Sequence, residues 1–144
     1  MSSDPILWRG QVTADAITLA EHEAWVSHES AGAVVGFCGV VRDHDGGRAV
    51  RRLSYSAHPS AGEVVVAIAE RIATATTGVR ALAVSHRVGD LEIGDEALVC
   101  AVAADHRGQA FDVCRELVEA VKLELPVWKL QVFGDGTEEW VSCA

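Results

Sequence analysis

Residues 79–104 read VRALAVSHRVGDLEIGDEALVCAVAA. Two apolar runs stand here almost back to back, Val79 to Val88 and Glu96 to Ala104, and each reads as a strand. Between them, Gly89-Asp90 and Gly94-Asp95 mark bends. Paired strands with no helix between them favour an α+β domain with a mixed or antiparallel sheet over a doubly wound parallel one.

The flanking segments repeat the pattern. Toward the C-terminus, Asp105 is placed to cap a helix whose apolar stripe runs Phe111, Cys114, Val118, Val121 and Leu125. Pro126 ends that helix, because proline restricts the residue before it and has no amide hydrogen. Val127 to Phe133 reads as a strand, Asp135-Gly136 as a turn, and Trp140-Val141 as a last short strand. Toward the N-terminus, Ser60 and Glu63 form a capping box ahead of a helix carried by Val64, Val65, Ile68 and Ile72. The strand before it puts Leu53, Tyr55 and Ala57 on one face and Arg52, Ser54 and Ser56 on the other. The polar loop from Arg42 to Arg48 separates this strand from Ala33 to Val41, a continuous apolar run that reads as a buried strand. Thr18 and Glu21 make another capping box, before a short helix with Trp25 and Val26, and Ile6 to Thr13 is a candidate first strand. The expected order is β-α-β-β-α-β-β-α-β-β in a single domain, residues 1–144.

Of the 144 residues, 49% are apolar and 23% charged, which suits a globular domain with a real core. The formal net charge of −9 argues against electrostatic binding to nucleic acid or anionic membranes, yet leaves room for a local basic pocket. Neither a bilayer-spanning apolar run nor a secretory leader pattern is read, so a cytoplasmic location is expected. Cys38, Cys100, Cys114 and Cys143 lack zinc spacing; the first three read as small core residues and Cys143 as exposed.

The chain has ten arginines but only two lysines, Lys122 and Lys129, one on either side of Pro126. Lysine differs from arginine in that its amine can lose a proton and become a nucleophile or base. A reversal at Pro126 lets the two side chains converge, whereas compensation of the helix dipole is the plainer role for Lys122. His106-Arg107 falls at a helix start, where free amides favour an anion. Arg42 and His44 sit in a glycine-containing loop of the kind that contacts ligands. His86-Arg87 lies within a strand, so alternation gives at least one of the two a structural role. Together these residues suggest a cationic pocket of Arg42, His106, Arg107, Lys122 and Lys129. No phosphate loop, dinucleotide fingerprint, nucleophile elbow or zinc motif is present, and neither a cofactor nor a metal is expected.

Four ordered segments carry a resemblance: Gly32 to His44 with Phe37, Gly39 and Arg42; His86-Arg87 with Gly89, Leu91, Gly94 and Asp95; His106-Arg107 with Ala110-Phe111; and Lys122 with Pro126, Trp128 and Lys129. The chain resembles the MoaE family, the large, catalytic subunit of molybdopterin synthase. The resemblance implies an α/β-hammerhead-like fold. It implies a sulfurtransferase that converts cyclic pyranopterin monophosphate to molybdopterin by forming the dithiolene. Sulfur would arrive as the C-terminal glycine thiocarboxylate of a small ubiquitin-like subunit, in a heterotetramer built on a homodimer of this chain. Lys122 matches the family's essential lysine and Lys129 its second active-site lysine. Val40, Val41, Arg42, His106 and Arg107 match substrate-contacting positions, and Leu130 and Gln131 extend the Lys129 stretch. In that stretch the family commonly has a basic–acidic pair, and asparagines are common where Asp43 and Asp45 stand here. The alternative is a non-catalytic paralogue that binds the sulfur carrier or a pterin without turnover.

Overall fold

The computed structural model describes residues 4–142. In chain order its elements are β1 (Leu7–Thr13), α1 (Leu19–Val26), β2 (Ala33–Val40), β3 (His44–Asp45), β4 (Arg48–Ala57), α2 (Ala61–Ala75), β5 (Val79–Arg87), β6 (Gly89–Leu91), β7 (Glu96–Ala104), α3 (Arg107–Glu124), β8 (Val127–Phe133) and β9 (Glu138–Ser142). The expected order holds, with β3 and β6 as short additions. The class is α+β, with three helices on mixed and antiparallel sheets.

The first sheet has the order β1-β5-β7-β2. Strands β5 and β7 pair antiparallel, Val84 opposite Cys100, as their near-adjacency in sequence requires. Strand β1 joins parallel to β5, placing Val12 opposite His86. Alternation divides this sheet into unlike faces. Leu82, Val84, Leu98, Cys100 and Val102 enter the core beneath α2 and α3, with Val65 and Ile68 of α2 and Leu117 and Val121 of α3. The opposite face carries Ala81, Ala83, Ala101 and Ala103, small residues that let Val26 of α1 pack closely. Helix α2 also approaches β1 closely: a Cβ on Gly10 would lie 2.8 Å from the Val65 carbonyl oxygen. Each large aliphatic side chain buried in this core contributes ~1.5–3 kcal/mol through surface removed from water.

The second sheet runs β3-β4-β8-β9, with β6 also on β4. It meets the first through a small cluster of Val41, Leu53, Leu91 and Ala97, with Tyr55 packed against it.

Four local expectations change. Strand β2 is an edge strand paired only with β7, so Val34 and Val40 are exposed rather than buried. Phe111 is 61% exposed, because the buried stripe of α3 is centred on Ala110, Cys114, Leu117 and Val121. Ser60 adopts helical φ and ψ and makes no side-chain cap, whereas Thr18 is extended and accepts the Glu21 amide at 3.2 Å. The N-cap of α3 is His106, because the Asp105 carboxylate turns away to Arg80, 2.6 Å from its Nε. Cys143 lies outside the described residues.

Candidate active site

The site is built where α3 stops. The Leu125 amide still reaches the Val121 carbonyl at 3.0 Å, but Leu125 itself is extended and Pro126 cannot continue the ladder. The Pro126 carbonyl accepts the His58 amide at 3.0 Å, which hooks the chain to the end of β4. Strand β8 then runs back antiparallel to β4, with Lys129 opposite Tyr55 and Gln131 opposite Leu53. Directly opposed residues share a face. Lys129, Gln131, Tyr55 and Leu53 therefore point together, toward the end of α3 that carries Lys122.

The result is a cavity of about 240 Å³ that both lysines line. Its third wall is the end of β2. Val40, Val41 and Arg42 line it, after a register shift between Gly39 and Val40. Backbone bonds tie this segment down: the Val41 amide donates to Asp95 O at 3.0 Å, and the Gly94 amide to Val41 O at 2.7 Å. The floor comes from Leu98 and from His86, which is 1% exposed.

Two polar groups beside the cations have shifted acidities. The Asp45 carboxylate accepts the Gln131 amide at 2.8 Å and lies 3.3 Å from Arg42. The Gln131 bond, with the charges of Lys129 and Arg42, holds its carboxyl below the usual range despite some desolvation. His86 is pushed the other way from a charged state. Burial, with the charge of Lys122, lowers its pKa to about 4, against a hydrogen bond to the Arg87 carbonyl. Its ring stands edge-on to Tyr55, with centroids 4.8 Å apart.

The three cysteines among the described residues are poor nucleophiles here. Burial, then the Glu96 hydrogen bond, pushes the Cys38 thiol up to about 11, and burial does the same to Cys114. Cys100 is raised as well, chiefly by burial. At neutral pH these three stay thiols, so the site offers amines rather than thiolates. Among the described residues, no group of three His, Cys, Asp or Glu side chains is arranged to hold a metal ion.

Of the residues singled out from the sequence, Val40, Val41, Arg42, Lys122, Lys129 and Gln131 come together in this cavity. Leu130 does not: alternation along β8 turns it to the other face, into a shallow groove with Arg52 and Asp90. His106 and Arg107 do not either. They begin α3, and Lys122 sits in its last turn, so ~22 Å of helix separates Arg107 from Lys122 at ~1.5 Å per residue. Within one chain the expected five-residue cationic pocket is thus three cations, and the other two lie at the far end of the helix. His44 pairs with Asp43 at 2.9 Å in the exposed loop. Tyr55 is a cavity residue that local pattern alone does not single out, and His86 stands out only as half of a His-Arg pair within a strand, where a structural role is the expectation. Inward alternation of Tyr55 with Leu53 is the one available signal.

Fold and pocket define a class: an α+β protein with an amine-lined cavity at a helix–proline–strand junction. The profile of the MoaE protein family matches residues 12–124, and the chain belongs to that family. Molybdopterin synthase catalytic subunit 1 of Mycobacterium tuberculosis is 40% identical over 132 residues, covering 91% of this chain and 88% of that protein. The molybdopterin synthase catalytic subunit of Pyrococcus abyssi is 39% identical over 127 residues, covering 85% and 82%. Among solved structures, molybdopterin synthase from Staphylococcus aureus superposes with a TM-score of 0.84 at 28% identity, covering 92% of this chain and 96% of that one. A complex of subunits 1 and 2 of molybdopterin-converting factor from Helicobacter pylori shares the fold, with a TM-score of 0.71 at 20% identity and coverage of 92% and 88%. No helix among the described residues is long and apolar enough to cross a membrane.

Proposed function

We infer that this chain is the catalytic subunit of a molybdopterin synthase, a sulfurtransferase of molybdenum cofactor biosynthesis. The observation that carries the reading is the convergence of Lys122 and Lys129 with Arg42 on one cavity, in a chain of the MoaE family. The substrate is cyclic pyranopterin monophosphate. The sulfur donor is the C-terminal glycine thiocarboxylate of a small ubiquitin-like subunit, and the complex of two subunits named for the Helicobacter pylori protein supports such a partner.

The geometry suits these two anions. A cavity of about 240 Å³ is below the ~300–1,000 Å³ of most small-molecule sites. It fits a narrow glycine tail better than a whole pterin. Lys122, in the wall beside His86, meets the thiocarboxylate and stabilises negative charge as it develops at the carbonyl. Arg42 and Lys129 hold the phosphate-bearing substrate at the rim by charge-assisted hydrogen bonds. His106 and Arg107 contact the same substrate only if a second copy presents its α3 start to this rim. On this reading two copies form a homodimer at the centre of the assembly. The three raised thiols favour direct transfer from the thiocarboxylate over relay through a cysteine of this chain.

Reconstitution tests the reading. The purified chain, mixed with its thiocarboxylated small subunit and cyclic pyranopterin monophosphate, forms molybdopterin. No product under conditions where an established synthase turns over rejects the enzymatic role and favours a binding-only paralogue.

A further inference from the structure

We propose that His86 is a positioning residue for Lys122: its Nε2 accepts one N–H of the Lys122 ammonium when the pocket is occupied, fixing the direction in which the ammonium faces the ligand. The proposal rests on the functional reading above, which puts Lys122 at the reacting end.

The tautomer follows from the geometry. His86 Nδ1 lies 2.8 Å from the Arg87 carbonyl oxygen. A carbonyl only accepts, so Nδ1 carries the proton and Nε2 presents a lone pair. The edge-on contact with Tyr55, at an interplanar angle of 81°, holds the ring plane. Nε2 is sealed from solvent and has no hydrogen-bond partner among the described residues. A buried acceptor left unpaired is costly, and most such groups are satisfied in the working state of a protein.

The donor must be one that reaches a sealed wall. His86 and Lys122 line the same cavity, and the lysine's charge acts on the ring. An ammonium has three N–H donors, so giving one to Nε2 does not exhaust its capacity to meet an anion. Burial keeps the imidazole neutral down to about pH 4, so the lone pair is present throughout the neutral range. That same low basicity prevents the ring from taking a proton from an ammonium. Its role is to accept a hydrogen bond, not to act as a base.

Two variants and one spectrum test this. His86→Phe keeps a ring against Tyr55 but has no acceptor; His86→Gln keeps an acceptor without the ring. The expected result is a fall in kcat of about tenfold or more for His86→Phe with KM for the pterin little changed, and recovery of most of it in His86→Gln. In the wild type, the ¹⁵N resonance of His86 Nε2 moves when the small subunit with an ordinary C-terminal carboxylate binds, and that movement is lost in Lys122→Ala. Full activity in His86→Phe overturns the proposal, as does equal impairment of both variants. So does an Nε2 resonance indifferent to both occupancy and Lys122→Ala. The spectrum needs no turnover and no His86 variant, so it remains decisive if the His86 variants misfold or if the enzymatic reading itself fails.

Discussion

The two ends of helix α3 carry the same kind of chemistry and use it differently. At its start stand His106 and Arg107; at its end stands Lys122, with Lys129 just beyond Pro126. The start is closed by local bonds: the His106 amide donates to Gln109 Oε1 at 3.1 Å, and Gln109 donates to Thr77 O at 2.6 Å. Asp105 beside it is occupied by Arg80. The end opens into a cavity, because Pro126 sends the chain back along β4 and brings Lys129 to the same cavity as Lys122. Cationic side chains at a helix terminus are therefore not enough to make a site. What distinguishes the C-terminal end is a chain reversal against a second sheet, which supplies walls.

The largest effect that sharpens this contrast is at the open end. Lys129→Ala lowers the rate of molybdopterin formation by about 10²-fold or more, the scale of losing a donor that stabilises developing charge, and leaves thermal unfolding unchanged. A wild-type rate would remove Lys129 from the chemistry.

A mixing experiment tests whether the closed end serves the open end of another copy. Lys122→Ala and Arg107→Ala are each impaired alone. An equal mixture, allowed to exchange subunits, regains roughly a quarter of wild-type activity, since half the dimers are mixed and each of these has one intact site. No recovery places Arg107 outside the site or confines both residues to one chain.

Stability against pH probes the cavity floor. The folded pKa of His86, about 4, lies below its ordinary 6.5. Between those values the unfolded chain binds the proton and the folded chain does not. Stability therefore falls as pH drops from 6.5 toward 4, by up to ~3 kcal/mol, and no further on this account below 4. Asp105, held low by its Arg80 bond, adds a loss of the same sign at still lower pH. Denaturant titrations of the wild type and His86→Phe separate the two, since the variant lacks the first loss.

The smallest effect is at the closed end. Gln109→Ala removes the side-chain bond to the His106 amide and the bond to the Thr77 carbonyl, and costs ~1 kcal/mol of stability, read as a shift in the denaturation midpoint. A change in kcat without a change in stability would give Gln109 itself a direct part in the chemistry.

Much of this was readable from residue order alone. The bounds of β7 and β8, and the antiparallel pairing of β5 with β7, follow from dense apolar runs with no helix between them. The helix stop at Pro126 follows from proline's missing amide, and with it the chance that the two lysines converge. The distance from Arg107 to Lys122 is also implicit in the length of the helical stripe, so a single-chain pocket holding both conflicts with the helix rise itself. Other features are invisible locally. Strands β3 and β6 are too short to show a period. The edge position of β2 depends on sheet order, which its apolar sequence does not encode. Tyr55 and His86 lie 31 positions apart and meet only because β4 and β5 belong to different sheets that pack at the pocket.

The central claim is that sulfur transfer happens at the open end of α3. The direct measurement is molybdopterin formation by Lys122→Ala in the complete reconstituted mixture, with folding and small-subunit binding checked on the same sample. Loss of turnover in a folded, partner-binding variant is the predicted result. Turnover at the wild-type rate would contradict it.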